Sequence, residues 1–566
     1  MAQRTRFPTA TYRLQFNRNF KFTDATEIIP YLEKLGISDL YSSPFFRADP
    51  GSDHGYDVSN HNELNPAIGT RPEFDAMVAA LKERQMGHLA DFVPNHMGIS
   101  DVNNEWWMDV LENGPSSTFA PFFDIDWDPI KEGLRHKILL PVLGDQYGRV
   151  LEKGELGLSY EEGAFFVTYY DRVFPLNPRT YKFVLQLALK NLGAYDDEVM
   201  VSELESIITA LEHLPLRTAT EAGKVRERAR EKEIVKRRIS RLCSEFPQVR
   251  EAIDRAMFEL QGQVGQPHSF DQMDELLSAQ AYRLSYWRVA GEEINYRRFF
   301  DINNLAAIRV ENPVVFETIH RFIFELLKAG DVTGLRIDHV DGWHNPKVYL
   351  RELQRRFLDI PEDEVVEENA LRDRGFYLVV EKILSFNEKL RTDWPIHGTS
   401  GYDFTTDATQ LLVDSSNQEA FSRLYREFID RYVHFESLVF EKKRLVMDTS
   451  LSSDIESLGH RLSQLAEKDR LHRDFTRDSL STVVRDLIAC FPVYRTYIGD
   501  DGVVSESDRQ VVLRAVRAAK RRNPSIDTSI FDFLRDILLL EKFENFSDAT
   551  RQQQIEFVVK FQQCTG

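Results

Sequence analysis

The stretch GLRIDHVDG (334–342), followed one helical segment later by FYLVVE (376–381), decides how this chain reads. Gly334 to Ile337 is a short, largely apolar strand whose end carries Arg336, Asp338 and His339. Arg336 and Asp338 stand two residues apart, so a strand places both on one face. A guanidinium beside a carboxylate lowers the carboxylate's pKa and fixes its rotamer, which a nucleophile requires; a structural ion pair would leave the same trace. Glu381 follows FYLVV directly, where a strand opens into a loop. In an apolar rim that carboxyl is expected to titrate high and to act as a general acid, the alternative being a solvated first loop residue. PKVYLRELQRRF (346–357) reads as the helix between the two strands, so Asp338 and Glu381 end consecutive parallel strands on one side of a sheet. Two such carboxylates flanking one bond are the core of glycoside chemistry, and a separation of about 5–5.5 Å implies retention of anomeric configuration.

Outward from this pair the same β/α rhythm recurs. Upstream, TYRLQF (11–16) reads as a strand, followed by a helix with Ala25, Ile28, Ile29, Leu32 and Leu35 on one face and Gly36 as its stop. Pro30 lies inside that pattern and predicts a kink or a late helix start. Asp39 to Ser43 reads as the second strand. Thr70 and Glu73 have capping-box spacing ahead of a Phe74, Met77, Val78, Leu81 stripe, and HLADFV (88–93) is the third strand. Asn312 caps a further helix with Pro313 at its first position. Strands near residues 11, 39, 88, 334, 376 and 492, the last being FPVYRTYI (491–498), make six of the eight that a (β/α)8 barrel of the TIM type needs. The expected fold class is therefore α/β, an incomplete TIM-type barrel with large, mainly helical insertions.

The expected organisation is a first barrel part over 1–96 and an insertion over 97–290, aromatic and loop-rich at first and then helical. A central catalytic segment follows over 291–404, then a helical insertion over 405–490 and a further barrel segment over 491–566. Within the first insertion, KVRERAREKEIVKRRISRL (224–242) mixes both signs of charge and reads as a solvated helix face rather than a nucleic-acid arm.

Barrel chemistry lies at the C-terminal ends of strands, where two more segments are polar. Asp91, Asn95 and His96 stand at or just past the third strand, either as site residues or as a loop of turns around a satisfied histidine. The loop GSDHGYDV (51–58) offers Tyr56 to stack on a sugar ring and His54 and Asp57 to bond hydroxyls, or is an ordinary glycine-enabled loop.

The bulk numbers agree with a neutral, polar ligand. A net charge of -19 disfavours phosphate backbones, so no nucleic acid is expected. No run is apolar and long enough to span a bilayer, and the start has no apolar signal core. Three separated cysteines suggest neither a disulfide framework nor a zinc site, and a cytoplasmic location follows as the expectation.

Taken together, DxxxNH (Asp91, Asn95, His96), GxRxD (Gly334, Arg336, Asp338), Glu381 and HGYD (54–57) resemble the α-amylase superfamily of retaining glycosidases and transglycosylases. TYRLQF, YSSPF, GSDHGYDV, INYRRFFDIN (294–303), GLRIDHVDG and GTSGYDF (398–404) resemble, within it, the maltooligosyltrehalose synthase family. The resemblance implies a linear α-1,4-glucan substrate, Asp338 as nucleophile and Glu381 as acid and base. It further implies His54, Tyr56, Asp57, Asn95, His96, Arg336, His339 and Tyr402 as substrate contacts. No cofactor is expected and no metal, although Asn95 occupies a position that some amylases use for calcium. The reaction implied is intramolecular transglucosylation of the terminal linkage to α,α-1,1. The aromatic residues Trp106, Trp107, Phe119, Phe122, Phe123 and Trp127 are either a lid that excludes water or a packed subdomain core. The superfamily's third carboxylate, in a His-Asp pair, has no counterpart: none of the 14 histidines precedes an aspartate. The expectation is a truncated chain, or one completed by a second polypeptide that supplies the missing strands. A hydrolytic or glucan-transferring amylase relative and a non-catalytic glucan-binding chain remain the alternatives.

Overall fold

Six short strands pair in parallel and in chain order: Thr11–Leu14 (β1), Asp39–Ser42 (β2), Gly87–Phe92 (β3), Gly334–Ile337 (β4), Tyr377–Val380 (β5) and Gly398–Thr399 (β6). The computed structural model describes residues 5–192, 198–361, 363–385 and 387–566; the first four residues of the opening stretch lie outside these. The register runs Thr11↔Asp39, Asp39↔Gly87, Gly334↔Leu89, Gly334↔Tyr377 and Val379↔Gly398. Every residue of β3 and β4 is buried, as strands covered on both faces must be.

Four of the six strands follow a helix that the pattern calls for. Phe22–Leu35 (α1) buries Phe22, Ala25, Ile29 and Leu32 and stops at Gly36 in the left-handed region. It starts well before Pro30 and runs through it, so the late start expected from that proline does not occur. Arg71–Glu83 (α2) opens with Glu73 Oε2 accepting the Thr70 N–H at 2.6 Å. Pro313–Lys328 (α3) is capped by Asn312 Oδ1, which accepts from the Val314 N–H at 3.0 Å. Pro346–Phe357 (α4) joins β4 to β5.

The count of six holds, but one strand lies elsewhere than expected. FPVYRTYI forms no strand; the sixth is Gly398–Thr399, inside GTSGYDF. Val493, Tyr494, Tyr497 and Ile498 are good strand formers that here meet no strand. The Ile498 N–H and C=O bond instead to the Gln562 side chain (2.8 and 2.9 Å), on the helix Asp548–Thr565. Tertiary contacts override propensity at this point.

The chain divides into two compact units, Met1–Met97 with Ile308–Gly566, and Gly98–Ala307. In the first, residues 447–561 add a helical core built from Leu462, Leu480, Leu487, Phe531, Leu534 and Phe561 among others. Its helices Tyr402–Leu411 and Gln418–Ile429 bury nothing: Phe404, Leu411, Phe421, Leu424 and Phe428 are all exposed, Phe428 at 87%. No helix among the described residues is long and apolar enough to cross a membrane.

The second unit differs from the sequence reading in two ways. The stretch read as loop-rich holds an antiparallel sheet of Leu156–Glu161, Ala164–Tyr169 and Arg172–Pro175. The charged helix Ala222–Glu245 is not a solvated face: Arg228, Lys232, Val235, Ile239 and Leu242 form a buried stripe. Arg228 donates to Asn113 Oδ1, the Pro215 carbonyl and Asn177 Oδ1. Lys232 Nζ lies 2.6 Å from Asp109 and 2.5 Å from Glu112, and Lys236 Nζ lies 2.6 Å from Glu112. These partners, distant in sequence, are what make burial of the cations tolerable. The aromatic residues largely pack as core: Trp107, Phe122 and Phe123 are buried, with Trp107 edge-on to Phe123 and Tyr296.

Burial pushes the Glu112 carboxyl up, but Lys232 and Lys236 outweigh it and hold the group at about 2. A folded pKa below the ordinary value of 4.5 stabilises above that value and is lost as pH falls toward about 2. Lys232→Met is expected to cost this unit roughly 3–5 kcal/mol in urea denaturation at neutral pH, because it strands a buried charge. The deficit should shrink through that acid window; a loss below about 1 kcal/mol would mean that the pair behaves as a solvated one.

Candidate active site

The register that pairs Ile337 with Val380 carries on past the strands. The Glu381 N–H donates to the Ile337 carbonyl at 2.8 Å, and the Asp338 N–H to the Phe92 carbonyl at 2.9 Å. Asp338 and Glu381 therefore stand opposite one another at the ends of β4 and β5. Neighbouring strands lie about 4.8 Å apart, close to the separation a retaining pair needs.

One guanidinium gathers the acids. Arg336 Nη1 lies 2.7 Å from Asp338 Oδ1 and 2.7 Å from Asp91 Oδ1, and Nη2 lies 3.1 Å from Glu381 Oε1. Arg336 pairs with Asp91 in the strand register, so the sheet itself sets the first contact. The other Asp91 oxygen accepts from the Tyr56 hydroxyl at 2.7 Å and the Tyr41 hydroxyl at 2.9 Å. Arg13 donates to the Tyr56 hydroxyl at 3.2 Å. Glu381 Oε1 accepts from Tyr402 at 3.2 Å, and Oε2 from the His339 N–H at 3.0 Å.

That last bond depends on the backbone. His339 is left-handed (φ 48, ψ 55), an uncommon state for a residue with a side chain. It turns the chain sharply after Asp338 and aims its N–H at Glu381. Gly342 lets this turn close, because a Cβ there would lie 2.5 Å from Asn95 Oδ1 and from the His339 ring. Gly55 (φ 79) does the same for the Tyr56 loop, passing over the Pro44 carbonyl where a Cβ would clash at 2.6 Å.

The residues singled out from sequence fall into two groups. Asp338, Glu381, Arg336, Tyr56, His339 and Tyr402 converge with Asp91. Asn95 and His96 are fully buried: His96 Nε2 bonds the Tyr56 carbonyl at 3.1 Å, and Asn95 Nδ2 lies 3.3 Å from His96 Nδ1. They support the Tyr56 loop from beneath. Asp57 accepts from the Ser52 hydroxyl within its own loop, and the exposed His54 accepts the Tyr56 N–H and stacks on its ring. Tyr41 and Arg13 were not singled out from sequence. The available signal was a tyrosine inside a strand buried on both faces, whose hydroxyl needs a partner. No cluster of three His, Cys, Asp or Glu able to hold a metal ion exists among the described residues.

The electrostatics reverse the sequence expectation for both acids. Burial pushes the Asp338 carboxyl well above its ordinary range; Arg336 opposes, and the neighbouring Glu381 and Asp91 charges add to the rise. Glu381 is drawn down: burial opposes, but Arg336 and the His339 N–H outweigh it. Asp91, also buried, is raised. Three carboxylates share one cation, and burial together with their mutual repulsion pushes the two deeper ones, Asp338 and Asp91, up. Burial and the Asp91 charge keep Tyr41 and Tyr56 protonated as donors.

Comparison with known proteins fits this geometry. The α-amylase catalytic domain family matches residues 22–141. A curated Mycobacterium tuberculosis protein that carries the maltooligosyl trehalose synthase name is 28% identical over 470 residues, 82% of this chain and 46% of that one. The solved maltooligosyltrehalose synthase of Arthrobacter ramosus is 28% identical with a TM-score of 0.66, over 98% of this chain and 55% of that one. A Sulfolobus tokodaii structure carrying the same name is 25% identical with a TM-score of 0.60 over the same shares. This chain thus spans about half the length of the relatives it matches.

Asp338→Asn and Glu381→Gln should shift stability in opposite directions. A carboxyl raised in the fold favours folding below its ordinary value of 3.8 and loses that stability as pH rises through the folded value. Asp338→Asn at pH 7 is therefore expected to gain about 1 kcal/mol, roughly a 1 °C rise in unfolding midpoint. The gain should vanish below pH 3.8. Glu381→Gln should lower the midpoint at pH 7, since the ionised form is the one held in place. Calorimetry across pH checks both signs.

Proposed function

We propose that this chain, an α-amylase-superfamily relative of the maltooligosyltrehalose synthases, serves intramolecular transglucosylation at the reducing end of a linear α-1,4-glucan. The observation that carries the reading is the in-register pair of acids, Asp338 and Glu381, held on the single guanidinium of Arg336.

In the proposed reaction an Asp338 oxygen attacks C1 of the penultimate glucose. The bond from C1 to the O4 of the terminal glucose breaks, and Glu381 gives that oxygen its proton. The result is a glycosyl ester on Asp338 and a free terminal glucose. Glu381 then takes the proton from the anomeric hydroxyl of that glucose, whose oxygen attacks C1 and releases Asp338. Two inversions at C1 retain its configuration and leave an α,α-1,1 linkage. The sugar must enter with Asp338 ionised and Glu381 protonated, against the directions in which the ligand-free site shifts the two groups. A glycosidic oxygen placed between Glu381 and its Arg336 and Tyr402 partners removes the cation that holds Glu381 down. Asp338 keeps its 2.7 Å contact with Arg336, so the proton is expected to pass to Glu381 as substrate seats.

The exposed apolar helices over 402–429, with β6 at the edge of the sheet, favour a second element of the proposal. A further polypeptide carrying the remaining barrel strands and a His-Asp pair would cover that face and complete the site. Turnover that appears on adding such a polypeptide, with protection of those helices from proteolysis, would support it; neither effect would rule it out.

Maltopentaose is the substrate of choice for the main reading. A non-reducing product of unchanged mass is expected, and Asp338→Asn or Glu381→Gln should lower its formation by about 10³-fold or more. Shorter reducing sugars would favour a hydrolase, and glucan binding without any turnover even with the completing polypeptide present would favour a binding role.

A further inference from the structure

The geometry points to Lys382 as a positioning residue that braces the two acids from behind, through a buried ion triad with Asp341 and Glu388. Lys382 directly follows Glu381 and is 2% exposed. Its Nζ lies 3.0 Å from Asp341 Oδ2 and 3.0 Å from Glu388 Oε1. Asp341 stands three residues past Asp338, in the short turn Val340–Gly342. The triad therefore ties the loop that carries one acid to the loop that carries the other.

Neighbouring groups hold the triad in turn. The Tyr497 hydroxyl donates to Asp341 Oδ1, and Arg495 donates to the Asp341 and Trp343 carbonyls. The Tyr494 and Tyr497 rings lie 5.4 and 5.7 Å from Lys382 Nζ. Glu388 Oε2 accepts the Ser385 N–H at 2.8 Å, closing the loop after Glu381 on itself. This is the use of the FPVYRTYI segment: it packs behind the acids instead of adding a strand. Ions taken out of water are costly unless closely paired, and these carboxylates pair with Lys382 rather than with Arg336. Their placement at one and three residues past the acids makes the acid spacing depend on them. A shift of about 1 Å at a reacting pair is enough to cost two orders of magnitude in rate.

This inference rests on the glucan-site reading, and the test separates the two. Binding of maltotetraose is compared, by calorimetry on the full chain, with binding of an analogue bearing a secondary amine in place of the reducing-end glycosidic oxygen. The protonated amine sits between the acids and reports their placement; maltotetraose draws on hydroxyl and stacking contacts. Lys382→Met is expected to weaken the analogue at least tenfold while maltotetraose changes less than twofold. Glu388→Gln, which removes one carboxylate and keeps its shape, should move the same ratio less and carries the test if Lys382→Met does not fold. Equal losses for both ligands, or no change for either, would overturn the brace. Wild-type chain that binds neither ligand would overturn the site reading, and the brace with it.

Discussion

The site depends on one guanidinium. Arg336 lies within 3.1 Å of Asp91, Asp338 and Glu381, one positive charge among three acids, with Asp91 and Asp338 buried and Glu381 partly open to solvent. Ionising all three leaves two negative charges in excess of the guanidinium, which is why Asp338 and Asp91 are pushed up. The surrounding donors follow from that demand. Tyr41 and Tyr56 serve one Asp91 oxygen, and Tyr402 and the His339 N–H serve Glu381. A cluster so arranged couples the titration of its acids to one another through a single cation.

Holding that cluster requires the backbone to adopt a costly shape. His339 in the left-handed region is such a cost, offset by the bond it gives Glu381 and by the room that Gly342 leaves. Behind it, Lys382, Asp341 and Glu388 repeat the same solution of a buried cation shared between carboxylates. The insertion unit uses it again at Lys232. In each case an ion buried with its partners fixes segments that are remote in sequence.

Much of this was legible from local pattern. The apolar stripes of α1 to α3, the caps at Thr70 and Asn312, and five of six strands follow from periodicity and end signals, which act over a few residues. The acids were legible as polar residues at strand ends, because a parallel strand covered on both faces has little other reason to end in charge. The failures share a different cause. FPVYRTYI has strand residues and no strand to meet, and the charged helix Ala222–Glu245 looks solvated until Asp109 and Glu112 are found against it.

By itself, then, the sequence determined five of the six parallel strands and the two acids that stand at neighbouring strand ends, since alternation and register are local and follow the pleat. Only the tertiary structure decided the direction in which each acid's pKa moves and which polar residues are buried. The free energy of an ionised group depends on every charge and every water within several ångströms, and those neighbours come from strands and loops up to 245 residues apart, as Arg336 and Asp91 are.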